Sequence, residues 1–162
     1  MATYTSFDPR KSIREKIGTS WWTEEDGESW NISALDNDTA PIRIPIYLAE
    51  EVKSESLKEM PFIDLNLAMV KYITNNIQGD KRKVEAYIDI GLYYTNTDNL
   101  DITSFGKKII DELQDKIRSN QCGFSGIDYI TIENVRLQRE TMAHQTIFHF
   151  IITVYCEYYD LS

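Results

Sequence analysis

The stretch from His144 to Tyr159, HQTIFHFIITVYCEYY, constrains the fold more than any other part of the chain. Phe148, Phe150, Ile152, Val154 and Cys156 occupy every second position, so a strand here has one wholly apolar face. The alternate row, Ile147, His149, Ile151, Thr153, Tyr155 and Glu157, is mixed. A long strand with that pattern belongs inside a sheet, with a helix packed on its apolar side and a second surface on the other that is too apolar for plain solvent.

The rest of the chain supplies partners for such a strand. Residues 8–17 predict a short helix: Asp8 caps it, Pro9 suits its first position, and Ile13 and Ile17 lie one turn apart. Ile42, Ile44, Ile46 and Leu48 alternate as a strand, and Pro45, which lacks a backbone donor, places that strand at an edge or limits it to one neighbour. Ile63, Leu65, Leu67 and Met69 alternate after Pro61, and Val84 to Tyr94 alternate after a polar turn from Asn75 to Lys83. Together they predict a long antiparallel hairpin. Phe105, Ile109, Leu113 and Ile117, widened by Ile110, form the apolar stripe of a helix over Thr103 to Asn120. A strand from Tyr129 to Leu137, a polar connection QRETMAHQ and the final strand complete a second hairpin.

The expected fold is therefore α+β: a mainly antiparallel sheet of two hairpins with one covering amphipathic helix, preceded by an N-terminal helix and an extended arm. Residues 1–41 comprise that helix and an acidic, tryptophan-containing arm, and residues 42–162 form the core domain. Between Gly18 and Ile42 neither helical nor strand period holds, so the arm is expected to be irregular. The N-terminal helix, the arm or a neighbouring subunit would then cover the second face of the sheet.

Charge and composition narrow the function. The net charge of -9 opposes tight binding to a phosphate backbone. Ten carboxylates against three basic side chains from Trp21 to Met60 account for most of it. Ten tyrosines favour interfaces, because the ring packs while the hydroxyl stays wet. Cys122 and Cys156 have neither CxxC nor metal-ligand spacing, and Cys156 falls in the apolar row as a small core residue. No segment has the apolar length of a membrane span, and the N-terminus lacks a signal region. A soluble chain made in a reducing compartment is the expectation.

Catalytic patterns are missing. His144 and His149 are five apart on one strand and face opposite ways, so they cannot share a metal. The run Glu24, Glu25, Asp26, Gly27, Glu28 and the group Asp36, Asn37, Asp38 lack calcium-loop spacing and read as solvated acidic loops. Ser125, between Gly123-Phe124 and Gly126, is one residue short of a nucleophile elbow and has no evident base. No phosphate-binding glycine loop follows a strand. The reading is a non-enzyme without cofactors. Its working residues form an interface: Trp21, Trp22 and Trp30 anchor the arm, the Lys81-Arg82-Lys83 hairpin tip meets an acidic partner, and Tyr155 and Tyr159 lie near a neighbour on the semi-polar face.

A proline-opened strand, PFIDLNLAMV, hairpinned into VEAYIDIGLYY, then an amphipathic helix and a closing pair that ends FHFIITVYCEYY, resembles the tail terminator, or tail-completion, proteins of long-tailed viruses, of the lambda minor-tail type. The resemblance covers roughly Met60 to Tyr159 and leaves out the Trp21-Trp22-Trp30 arm. It implies a virion protein, assembled in the host cytoplasm and residing at the tail or neck. It further implies a hexameric ring that caps the tail tube, offers the surface for head-tail joining, and lets DNA pass without specific binding. Its partners would be other copies of itself, the tail tube protein and the head-tail connector protein. Two alternatives remain open: a head-tail connector or neck protein, and, from another class, a small enzyme or ligand-binding domain using a cavity between sheet and helix.

Overall fold

A computed structural model describes residues 7–18, 22–25, 28–33, 42–52, 61–73, 81–95, 102–119, 123–142 and 145–161. It is an α+β fold in which seven strands form one mixed sheet and two helices pack on it. In chain order the elements are α1 (Pro9–Gly18), β1 (Trp22–Glu25), β2 (Glu28–Ser33), β3 (Ile42–Leu48), a 3-10 turn (Ala49–Glu51), β4 (Phe62–Tyr72), β5 (Lys81–Thr95), α2 (Ile102–Ser119), β6 (Tyr129–Met142) and β7 (Gln145–Leu161). The spatial order is β1-β2-β3-β4-β5-β7-β6. The final strand β7 thus lies inside the sheet, antiparallel to both β5 and β6.

The two expected hairpins are present, and they are longer than the apolar alternation alone indicates. β6 runs on through Gln138–Met142, inside the stretch expected as a polar connection, because every residue there has a partner on β7. Hydrogen bonding to an interior strand holds the backbone extended whatever the polarity of the exposed side chains. One-residue slips in register fall between Leu67 and Met69 on β4 and between Ile132 and Asn134 on β6. Each is a bulge that restores the inward row after an extra residue.

The tryptophan-containing segment departs from expectation. Two of its stretches are strands: β1 and β2 pair antiparallel, with Thr23 opposite Trp30, and β2 runs parallel to β3, with Trp30 opposite Ile42. Strands of 4 and 6 residues are too short to display a period, so backbone pairing decides the structure there. Trp21 lies outside the described residues. β3 is not an edge strand. It pairs parallel with β2 as far as Pro45, opposite Ser33, and parallel with β4 from Ile46, opposite Ile63. Each residue of β3 has one neighbour although the strand has two. Pro45 sits where one ladder ends and the next begins, so its missing donor leaves no gap.

Both helices lie on the same face. Asp8 caps α1 as expected, accepting from the Arg10 N–H at 3.0 Å, and Ile13 and Ile17 are fully buried. Ile109, Ile110, Leu113 and Ile117 of α2 enter the same core. Beneath them lie Ile46, Ile63, Leu65, Ile88, Ile90, Leu92, Ile130, Ile152, Val154 and Cys156, one parity of the central strands. Burial pushes the Cys156 thiol up to about 12, so it stays protonated as the small core residue its position suggested. Arg10 fastens α1 to the sheet: its guanidinium bridges both Glu50 carboxylate oxygens at 2.6 and 2.7 Å, contacts Asp8 at 2.9 Å and reaches the Leu65 carbonyl at 3.4 Å. The N-terminal helix therefore does not cover the second face of the sheet, and β1 and β2, joined to it through β3, lie against the helices, β2 touching α1 and β1 touching α2. Among the described residues no helix packs on that second face, and none is long and apolar enough to cross a membrane.

Candidate functional site

The register of β4, β5, β7 and β6 orders the helix-free face into cross-strand rows. Phe62, Tyr93, His149 and Gln138 form one row. Asp64, Gly91, Ile151 and Arg136 form the next, then Asn66, Asp89, Thr153 and Asn134. Tyr87 and Tyr155 follow beside Met69 and Thr131, and Lys71, Glu85, Glu157 and Tyr129 come after them. Aromatic, mixed, polar, aromatic and charged rows succeed one another along the strands.

The first row is a stack of rings. Phe62 lies 4.8 Å from Tyr93 and nearly parallel to it, and Tyr93 lies 3.8 Å from His149 at 18°. Phe62 is wholly buried although no helix among the described residues covers it. The rings exclude water from one another, and Tyr47 adds an edge contact at 5.9 Å. His149 leans over Gly91 toward Asp64, with Nε2 3.7 Å from Oδ1. A Cβ on Gly91 would collide with that nitrogen and with the Asp64 carboxylate, so only glycine leaves room for the pair to approach. His149 Nε2 is buried and has no hydrogen-bond partner among the described residues.

Beside this stack is a cleft of about 720 Å³ lined by Tyr93, His149, Ile147, Gln138, Arg139 and Glu140. The Tyr93 phenol is pushed up to about 12, first by burial and then by the negative charges of Asp64 and Glu140. Arg139 contributes to the wall, but its guanidinium lies 5.8 Å from the Phe148 ring centre, on the helix-covered side of β6. This cleft is on the opposite face from the sheet–helix cavity that a ligand-binding domain was expected to use.

Farther along the face, the polar row satisfies itself. Thr153 Oγ1 donates to Asp89 at 2.6 Å, and Arg136 donates to Thr153 Oγ1 at 3.0 Å and to Asp89 at 3.4 Å. Tyr155 donates its hydroxyl to Glu157 at 2.7 Å and packs beside Tyr87, 5.3 Å between ring centres. Burial first, then the Glu157 and Glu85 carboxylates, raise the Tyr155 phenol well above its ordinary range.

Of the residues singled out in the sequence, Tyr155 and Tyr159 lie on this face, the latter largely exposed. The Lys81-Arg82-Lys83 run does not sit on a hairpin tip. It opens β5, with the three residues opposite Leu161, Asp160 and Tyr159 of β7. Arg82 places its guanidinium 4.5 Å from the Tyr72 ring centre, and Lys83 Nζ lies 3.5 Å from Glu157. Backbone pairing with the end of β7 carries the ladder through a stretch whose polarity resembled a turn. Trp22 and Trp30 are placed only as backbone positions in β1 and β2, while Trp21, Cys122 and His144 lie outside the described residues. Among the described residues no group of three carboxylate, histidine or cysteine ligands converges.

Sequence reasoning missed Tyr93, Asp64, Gly91, Gln138 and Glu140, and it treated His149 as isolated. A glycine within an otherwise unbroken alternation from Val84 to Tyr94 was the available signal, since a glycine inside a strand marks a close approach. No family model matches the sequence, and no curated protein does.

Proposed function

We propose that this chain is a structural virion protein: a tail terminator whose copies close into a hexameric ring on the tail tube and present the surface that joins the capsid. The observation that supports this reading is the helix-free face of the sheet. Its tyrosines Tyr87, Tyr93, Tyr155 and Tyr159, together with Met69, are interleaved with charges of both signs, the composition of a surface that docks on protein. Subunits of a closed ring meet through two different patches, so each copy needs such a face in addition to its core. The chain's negative charge suits a lumen through which DNA slides without sticking. On this reading the protein performs no chemistry, and its partners are its own copies, the tube protein and the connector.

Native mass measurement with negative-stain imaging tests it, on the chain alone and mixed with purified tail tube protein. Rings with a central hole, alone or on tube ends, are expected. A chain that stays monomeric and leaves tube protein unbound overturns the proposal. Rings that bind connector protein and ignore tube ends overturn it in favour of a neck component.

A further inference from the structure

We propose that the cleft beside the Tyr93–His149 stack binds a cationic group of the guanidinium or alkylammonium class. Three observations converge on that chemistry. The first is shape: a cleft of about 720 Å³, open on one side, has room for a small molecule or for one long side chain entering from solvent. The second is the wall. Tyr93 is half-buried and held in place between Phe62 and His149, and Ile147 closes the apolar side, so the cleft presents fixed aromatic and aliphatic surface with little left to order on binding.

The third is charge. Glu140 lines the cleft from an exposed position of β6, and Asp64 stands behind His149. The cation nearest in sequence, Arg139, is turned away over Phe148, and Arg136 is engaged with Asp89 and Thr153 one to two rows off. The carboxylates therefore act on the cleft without a local counter-charge from those arginines, as their effect on the Tyr93 phenol also indicates. A flat or methylated cation satisfies all three features: it lies against the rings, its charge meets Glu140, and Gln138 offers an amide oxygen to an N–H. An anion would meet carboxylates, and a neutral hydrocarbon would leave Glu140 and Gln138 unused.

The cation has two sources, a free small molecule or a basic side chain of another copy of the chain. The inference does not rest on the ring reading, and the experiment separates them. Arginine amide is titrated into isotope-labelled protein while amide shifts are followed by NMR, with benzoate as the anionic control. Saturable shifts centred on Tyr93, Gln138 and His149 are expected, absent with benzoate. Glu140→Gln should weaken binding several-fold and Tyr93→Leu by about fivefold, whereas Glu157→Gln, far along the same face, should leave it unchanged. Glu140 is exposed, so its variant keeps the fold, and the spectrum itself reports that.

Arginine amide that also dissociates an assembly identifies a neighbour's basic side chain as the occupant; binding without change of mass identifies a free cation. The proposal is overturned by the absence of saturable shifts, by equal binding of benzoate, or by binding indifferent to Glu140→Gln.

Discussion

The two faces of the sheet are made by alternate residues of the same strands, yet they are buried by different means. On one, Ile90, Leu92, Ile152 and Val154 lie under α1 and α2, and burial follows from apolar area covered by another element. On the other, Phe62, Ile151 and Thr153 are buried with no helix among the described residues above them. Neighbouring side chains cover one another there: rings stack on rings, and Thr153 is held between Asp89 and Arg136. The covered face is stabilised by non-directional hydrophobic contact, whereas the open face depends on specific geometry in each row. Substitutions on the first should therefore act through volume, and on the second through fit.

The largest effect is expected on the covered face. Leu113 is fully buried in the stripe of α2, and Leu113→Ala removes side-chain volume that the helix and sheet cannot fully reclaim. A loss of about 3 kcal/mol is expected in urea unfolding, without change in the 15N shifts of the Tyr93–His149 row. A loss below about 1 kcal/mol would mean that α2 is loosely packed and that the two faces differ less than their burial implies.

Gly91→Ala tests the open face by fit. It adds one methyl group at a strand position that no helix of the described residues covers. Here the new Cβ meets the His149 ring and the Asp64 carboxylate. His149 is also held by its stack on Tyr93, so it cannot swing aside without breaking that contact. A destabilisation of about 1–3 kcal/mol is expected, with a marked shift of the His149 ring protons. Stability within a few tenths of the parent, with an unmoved ring, would show that the row yields easily and would remove the contrast between the faces.

This difference also explains what could be read in advance. The covered face was legible because period is a local property: the rows from Val84 to Tyr94 and from Phe148 to Cys156, and the stripe of α2, each carry their own pattern. The open face was not, because its meaning lies in which rows meet. Tyr93 and His149 are far apart in sequence and come together only through the β5–β7 register, and a shift of one residue would send each to the other side. Asp64 reaches His149 through two successive registers. The parallel placement of β3 between β2 and β4 was illegible for a related reason. Pro45 signals that a residue can have one neighbour, but not that the neighbour changes at that residue.

The smallest effect concerns the rim of the covered face, where a charge rather than apolar area fastens α1. Hydrogen bonds from the Arg10 guanidinium hold the Glu50 carboxyl down at about 2, below its ordinary value of 4.5. Burial works to raise Asp8, but its bonds to Arg10 prevail and its carboxyl is lowered too. A carboxylate whose folded pKa is depressed contributes stability that is present above its unfolded value and lost as pH falls toward the folded one. Melting temperature should therefore decline between about pH 4.5 and pH 2. Glu50→Gln should flatten part of that decline while costing little at pH 7. Glu50 is mostly exposed, so solvent screening keeps its share below about 1 kcal/mol despite the size of the shift. The Lys83–Glu157 contact on the open face, at 3.5 Å and also partly exposed, supplies the comparison. Glu157→Gln is expected to leave the acid limb of the stability curve nearly as it was. If the two variants flatten it equally, the Arg10 clamp is no stronger than an ordinary surface pair, and α1 is held by the burial of Ile13 and Ile17 and by its other contacts, Ser12 to the Ser125 carbonyl and Arg14 to Glu51.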